Sequence, residues 1–408
     1  VKYATWFVRF WYAAWMIPAG VEHFYHIYPQ PGANSTHPLA AEMLTALLNT
    51  HLFDLVKAVE LITGVAVLFG FFTPLSLLIC MPVAFCVFWW DAPLSEWSRG
   101  SVIAGARVLG SNLLLCIAYI ASFRSMFAVR ASVTGNLQAQ KQLVLAARII
   151  FGAWMLLNGL NHFFFPLWST PAGQQPLSAE LMTALVHSQL LDVCMLIELV
   201  TGALILLGYF VPAALCIVMA VSTSALFWAV LDHQALTLAL GVFAFALNGL
   251  LMLAYLPYYN GALQRAPLTL GESNGASFNS LFVHAKGRTS RGHFVSALLP
   301  LALAVLWYAN KGPAVDYASW GVLCLLYPAV VLHVRRLHDM GRTGWWMIVP
   351  AVLTVLAMLI WAHRISLGAQ LDAAVPLAAL VVFVAFALWG CIARGQAEAN
   401  SFGAPVAA

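Results

Sequence analysis

Apolar runs of about 20 residues, parted by short polar stretches, recur along the whole chain. Each is long enough to cross a hydrocarbon core of ~30 Å as a helix, and none alternates polar with apolar residues as a barrel strand does. The first four runs cover about Trp6–Tyr28, Leu52–Phe71, Leu75–Trp90 and Ser101–Ala121. Four further runs mirror these. A last set covers about Phe294–Ala309, Ala318–Val334, Trp345–Ala362 and Ala374–Ile392. Pro74, just past the second run, predicts a tight turn and an antiparallel helix pair. The pattern thus predicts an all-α polytopic membrane protein of about twelve transmembrane helices in three four-helix modules.

The mirroring is explicit in the residues. Pro38–Pro74 returns without a gap as Pro176–Pro212, with 17 of 37 positions identical. Upstream, Arg9, Trp15, Gly20 and His23 return as Arg148, Trp154, Gly159 and His162; downstream, Asn112 and Tyr119 return as Asn248 and Tyr255. An even number of spans per copy keeps the copies in one orientation, so the repeat is parallel. A basic linker, FRSMFAVRASVTGNLQAQKQ, parts the copies, and a polar, Gly-rich stretch from Pro257 to His293 parts them from the rest. These breaks place the modules at 1–130, 131–265 and 266–408.

Composition agrees with a bilayer as solvent: 62% of residues are hydrophobic and 8% charged, against roughly a quarter charged in soluble domains. With the N-terminus inside, Lys2, Arg124, Arg130, Lys141, Arg265, Lys286, Arg288, Arg291, Arg335, Arg336, Arg342 and Arg394 are cytoplasmic, while Arg99, Lys311 and Arg364 are external. This positive-inside bias predicts twelve spans with both termini in the cytoplasm. Pro29–Leu52 has no Lys or Arg and reads as an external loop with an interfacial helix. The opening apolar run lacks an A-x-A site and has its equivalent in mid-chain, so it reads as a retained span. The basic residues cluster on no single face, which argues against a nucleic-acid partner. None of the seven cysteines forms C-x-x-C, and no H-E-x-x-H or H-x-x-E-H is present; the sequence therefore predicts inert thiols and no metal.

Acids inside the apolar runs carry the candidate chemistry. Each copy holds a His near the outer end of its first helix (His23, His162), an Asp at the start of its second (Asp54, Asp192), a Glu deep in the same helix (Glu60, Glu198) and an Asn in its fourth (Asn112, Asn248). Six residues apart, Asp and Glu lie about 120° and ~9 Å from each other, too far to share one tight site. A charged carboxylate at mid-bilayer costs about 2.5–3.5 kcal/mol, so each Glu needs a partner or a proton. Copy one adds Lys57 and Arg107, where copy two has Met195 and Phe243. Copy one is thus expected to neutralise its acids internally, leaving Glu198 as the protonated acid and copy two as the site for a neutral lipophile. The alternative is that these groups only hydrogen-bond across helices and hold the bundle together.

Two resemblances bear on this. With G-x-x-H-F closing the first span and IELVTGALILLGYFVP in the second, each copy resembles the DoxX/DoxD-like bacterial membrane family, over about Trp6–Phe123 and Leu143–Tyr259. Some of its members are subunits of thiosulfate:quinone oxidoreductase or associate with redox partners, and distant relatives assist receptor assembly or cargo export. The resemblance implies the four-helix fold and points to Glu60 and Glu198. The third block is similar to the DUF805 family of inner-membrane proteins, through Gly287, Arg288, Ser290, Arg291 and Phe294 in GRTSRGHF, RRLHDMGRTGWW at Arg335–Trp346, and Asn400, Phe402, Gly403 and Pro405. In that block Arg335, Arg336 and Arg342 are expected at the cytoplasmic headgroups, binding anionic lipid or holding internal structure, and His338 and Asp339 are expected to pair with Arg288 or Arg291. A docking site for a partner protein is the alternative.

No nucleophile–base pair or phosphate loop points to an enzyme. The leading expectation is a bacterial inner-membrane accessory protein that binds a quinone or other lipophile in its duplicated modules and serves a redox or envelope-stress system. A scaffold or assembly factor is the alternative, and a proton-coupled transporter a further one.

Overall fold

The computed structural model describes residues 1–28, 37–133, 138–169, 171–311 and 316–405. They form α1 (Lys2–Tyr25), α2 (Pro38–Asn49), α3 (Leu52–Phe69), α4 (Thr73–Asp91), α5 (Arg99–Ala118), α6 (Ile120–Phe123), α7 (Gln138–Phe163) and α8 (Pro176–His187). Then follow α9 (Leu190–Leu207), α10 (Val211–Asp232), α11 (Ala235–Ala254), α12 (Phe278–Phe282), α13 (Arg291–Ala309), α14 (Asp316–Asp339), α15 (Ile348–Trp361) and α16 (Ala369–Ile392). The only β feature among the described residues is an isolated bridge between Asn400 and Gly403. The first part of the expected external loop, 29–36, and linker residues 134–137 lie outside the described residues.

Among the described residues ten helices are long and apolar enough to cross a membrane, against the twelve expected from the sequence. The two that fall short, α1 and α3, have the length but not the composition. The 18 residues of α3 include Asp54, Lys57 and Glu60, and α1 carries Arg9 and Glu22 among Trp and Tyr. These helices pack against each other, and Arg9, Glu22, Lys57 and Glu60 on them are buried.

Two pairs of helices 138 residues apart have the same lengths. α2 and α8 run 12 residues from a proline, and α3 and α9 run 18. The residues preceding α3 and α9, His51 and Gln189, are left-handed at φ 59° and 60°; Phe72 and Phe210, before α4 and α10, are so at 48° and 49°. A non-glycine residue pays about 1–2 kcal/mol for that conformation, so both turns carry the same strain at the same place. Within each set the first helix crosses the second at a glycine. A Cβ on Gly20 would stand 2.7 Å from Leu61 Cβ, and one on Gly159 2.6 Å from Leu199 Cβ and 2.7 Å from its Cα. Because the obstacle includes backbone, Gly159→Ala is expected to force α7 from α9 and cost about 1–3 kcal/mol. An unchanged thermal midpoint in detergent would contradict that close approach.

The two sets meet through α2 and α8. Asn49 donates to Glu180 (2.7 Å) and His187 meets Glu42 (2.9 Å). Glu42 and Glu180 are equivalent positions, as are Asn49 and His187, so the contact is self-complementary in the manner of a two-fold interface. Within each set a tryptophan holds the equivalent helix: Trp90 donates to the Ala40 carbonyl (3.1 Å) and Trp228 to that of Ser178 (2.9 Å). At the other end the chain crosses over reciprocally: Phe72 N donates to Arg265 O (2.9 Å) and Phe210 N to Val129 O (3.1 Å).

The third block packs on α1 alone of the two equivalent helices, through α13 and α14. Trp6, Phe10 and Trp11 are buried there, Phe10 against Phe278 and Phe282, and Tyr308 donates to the Trp11 carbonyl at 2.8 Å. The polar stretch 257–293 therefore contains a short buried helix, α12, that its composition hides.

Candidate functional site

The first helix set brings its sequence-predicted polar residues into three separate contacts. At the end of the bundle away from the N-terminus, His23 Nε2 meets Asp54 Oδ1 at 2.6 Å and His51 Nδ1 meets Asp54 Oδ2 at 3.0 Å. Deeper, Lys57 Nζ donates to Glu60 Oε2 at 2.8 Å, both side chains being buried. Glu60 Oε1 has no partner. Asn112 then donates to Tyr12 Oη (2.9 Å) and to the Leu77 carbonyl (3.2 Å), joining α5 to α1 and α4. Arg107 does not help neutralise the acids as expected: it is exposed, with its guanidinium 5.1 Å from the Trp307 ring centre.

Near the N-terminal end lies a fourth contact, of which the sequence shows only the recurring Arg9 and Tyr119. Arg9, 1% exposed, donates to the Val67 carbonyl (2.7 Å) and to Tyr119 Oη (2.8 Å), and the Phe278 ring covers its guanidinium at 3.6 Å. Glu272 closes the site, accepting from Trp6 Nε1 at 2.6 Å and from Phe278 N at 2.9 Å. Asn279 donates to the carbonyl of Gly70 alongside (3.1 Å). Tyr12, Glu272 and Phe278 were not legible as site residues. Tyr119 could have been found, since it recurs as Tyr255.

The second set keeps the outer pair, His162 to Asp192 at 2.7 Å, and loses much of the rest. Met195, Phe151 and Val218 stand where the first has Lys57, Tyr12 and Cys80. Glu198 is buried with Asn158 as its polar neighbour, and Asn248 meets Ser222 Oγ at 3.3 Å. Three buried polar atoms are left without partners: Glu198 Oε2, Arg148 Nε and Tyr255 Oη. Buried polar groups are nearly always satisfied, so three in one helix set ask for a cause.

In the third block the loop residues turn inward. Asp339 accepts from Arg288 Nε at 3.1 Å and from Arg336, both arginines being buried. Arg288 also donates to the carbonyls of Gln396 and Glu398, the latter at 2.7 Å, and Arg336 to those of Gly390 (2.8 Å) and Ala393. Arg335 holds the Thr289 hydroxyl (3.0 Å) and the Arg288 carbonyl (2.9 Å). His338 stacks on Phe402 at 3.9 Å, and Asn400 donates to the His338 carbonyl at 2.9 Å. The loop is a clamp on the C-terminal segment. Arg335 and Arg336 are thereby spent on internal structure rather than on headgroups, and His338 pairs with neither Arg288 nor Arg291. Arg291, Arg342 and Trp345 remain exposed at the surface.

Residues 282–404 match DUF805, a protein family of unknown function. The matched stretch contains the whole arginine–aspartate clamp. No curated protein and no solved structure matches the chain. Two surface grooves stand out, and both belong to this block rather than to Glu60 or Glu198. One, of about 470 Å³, runs along Val330, Val334, His338, Trp345 and Ile348. The other, of about 520 Å³, lies between Trp361, Arg364 and Asp372. Among the described residues no group of three or more His, Cys, Asp or Glu is placed to hold a metal ion.

Proposed function

We propose that this multi-pass membrane protein is an accessory protein of a bacterial inner membrane. In this reading two parallel DoxX-like four-span modules and a DUF805-like module give twelve spans, with both termini cytoplasmic. The second module binds a neutral lipophile of the quinone class, and the assembly serves a membrane redox partner. Arg291 and Arg342 face anionic lipid at the cytoplasmic surface, worth ~1 kcal/mol for each cation.

The observation that carries the binding site is the contrast between Glu60 and Glu198. Glu60 has its cation 2.8 Å away, whereas Glu198 is also buried, has Met195 at the position of that cation and keeps Oε2 unpartnered. A neutral acid is the form such a place tolerates, and it offers both a donor and an acceptor to a carbonyl or hydroxyl ligand. The expected result is a stoichiometric lipophile in the native mass spectrum of protein purified in mild detergent. Glu198→Gln should lose it and Glu60→Gln should keep it. A bare chain, or an infrared spectrum showing Glu198 ionised at neutral pH, removes this reading.

A scaffold or assembly factor is the second reading. It is favoured by the contacts of the first helix set, where His23–Asp54, Lys57–Glu60 and Asn112–Tyr12 each tie neighbouring positions together. Under it, Glu198→Gln leaves both the cell phenotype and the bound-lipid profile unchanged.

A further inference from the structure

We propose that Arg148 and Tyr255 form the headgroup site for one anionic phospholipid, in the leaflet on the N-terminal side of the bundle. The argument comes from comparing equivalent positions and does not rest on the Glu198 reading. Arg9 is satisfied by Val67 O and Tyr119 and capped by Phe278, with Glu272 beside it as the acid. Arg148, its equivalent in the second set, lies against Gly208, where a Cβ would meet its Nη2 at 3.2 Å. Its Nε is buried without a partner, and no carboxylate pairs with it among the described residues. Tyr255, the counterpart of Tyr119, is fully buried and its hydroxyl is likewise unpartnered.

What the second set lacks is thus an anion with acceptor oxygens at the place where the first has Glu272. A phosphodiester supplies both the charge and the acceptors for a guanidinium. The flank of the site says where that phosphate comes from. Leu145, Ile149 and Ile150 correspond to Trp6, Phe10 and Trp11, which the third block covers, yet they are 45–53% exposed. Leu145 and Ile149 lie on the side of α7 next to Arg148 and leave an apolar surface there uncovered, which suits acyl chains and not a soluble metabolite. Arg130, donating to Tyr209 Oη at 2.9 Å next to Gly208, adds a second cation at the surface.

Native mass spectrometry of the detergent-solubilised full chain, titrated with phosphatidylglycerol or phosphatidylcholine, tests this. One phosphatidylglycerol per chain should be retained and phosphatidylcholine should not. Arg148→Gln should weaken retention by about tenfold, the size of one charge-assisted contact. Arg99→Gln, exposed at the opposite end of the bundle, should not alter it. Tyr255→Phe keeps the ring in place and should weaken retention several-fold, so the test survives if Arg148→Gln fails to fold. Equal retention of phosphatidylcholine, unchanged retention in Tyr255→Phe, or displacement by millimolar inorganic phosphate overturns the proposal.

Discussion

Asp339→Asn is expected to release the C-terminal segment and to cost about 3–5 kcal/mol, the usual penalty for breaking a buried ion pair from one side. The carboxylate is shared by two buried guanidiniums, Arg288 and Arg336, so its neutralisation leaves two charges without their acid. Both arginines also hold carbonyls of the segment beyond α16, and Gln396 N donates to the Asp339 carbonyl at 2.8 Å. Loop and tail should therefore loosen together. Thermal scanning would show the loss, and trypsin would report it locally, because the exposed Arg394 lies in the released stretch. Arg291→Gln removes a neighbouring charge that is exposed and should stay within about 0.5 kcal/mol. If Asp339→Asn melts like the parent and protects Arg394 equally well, the clamp is not what the motif is for.

That clamp shows where reading the sequence succeeds and where it stops. GRTSRGHF, RRLHDMGRTGWW and the terminal Asn400–Pro405 stand out as strings, and Arg288, Thr289, Arg335, His338, Asp339, Asn400 and Phe402 in them have partners in one another. Nothing in the strings says that they bind one another, since those partners are 46 to 115 residues apart and several are main-chain carbonyls. Helices were legible from apolar length, and the turn into α4 from Pro74. Two helices were legible only in part, because α1 and α3 trade hydropathy for charges that cancel inside the bundle. The Lys57–Glu60 contact follows from i,i+3 spacing on one helix. Arg107, five residues before Asn112, carried the same apparent promise and does not deliver it, since α5 turns it outward onto Trp307. The burial of Phe278 over Arg9 had no local signal at all. It depends on the third block folding back onto the first helix, a long-range contact that periodicity cannot encode.

Lys57→Met is expected to be the second costly change, by about 3–5 kcal/mol, for the same reason seen from the other sign. Glu60 is fully buried and already has Oε1 without a partner, so losing the cation at Oε2 strands the whole carboxylate. Adding Glu60→Gln to Lys57→Met should recover most of the loss, since an amide needs no counter-charge. The double-mutant cycle between the two positions should then show strong coupling. Nature has made the Lys57→Met change once already, as Met195, and has kept the acid beside it. If Lys57→Met proves as stable as the parent and uncoupled from Glu60→Gln, Glu60 needs no cation. Both helix sets would then carry their deep acid in the same neutral form. The distinction on which the second set was chosen as the binding module would disappear, and both acids would have to be tested as sites on equal terms.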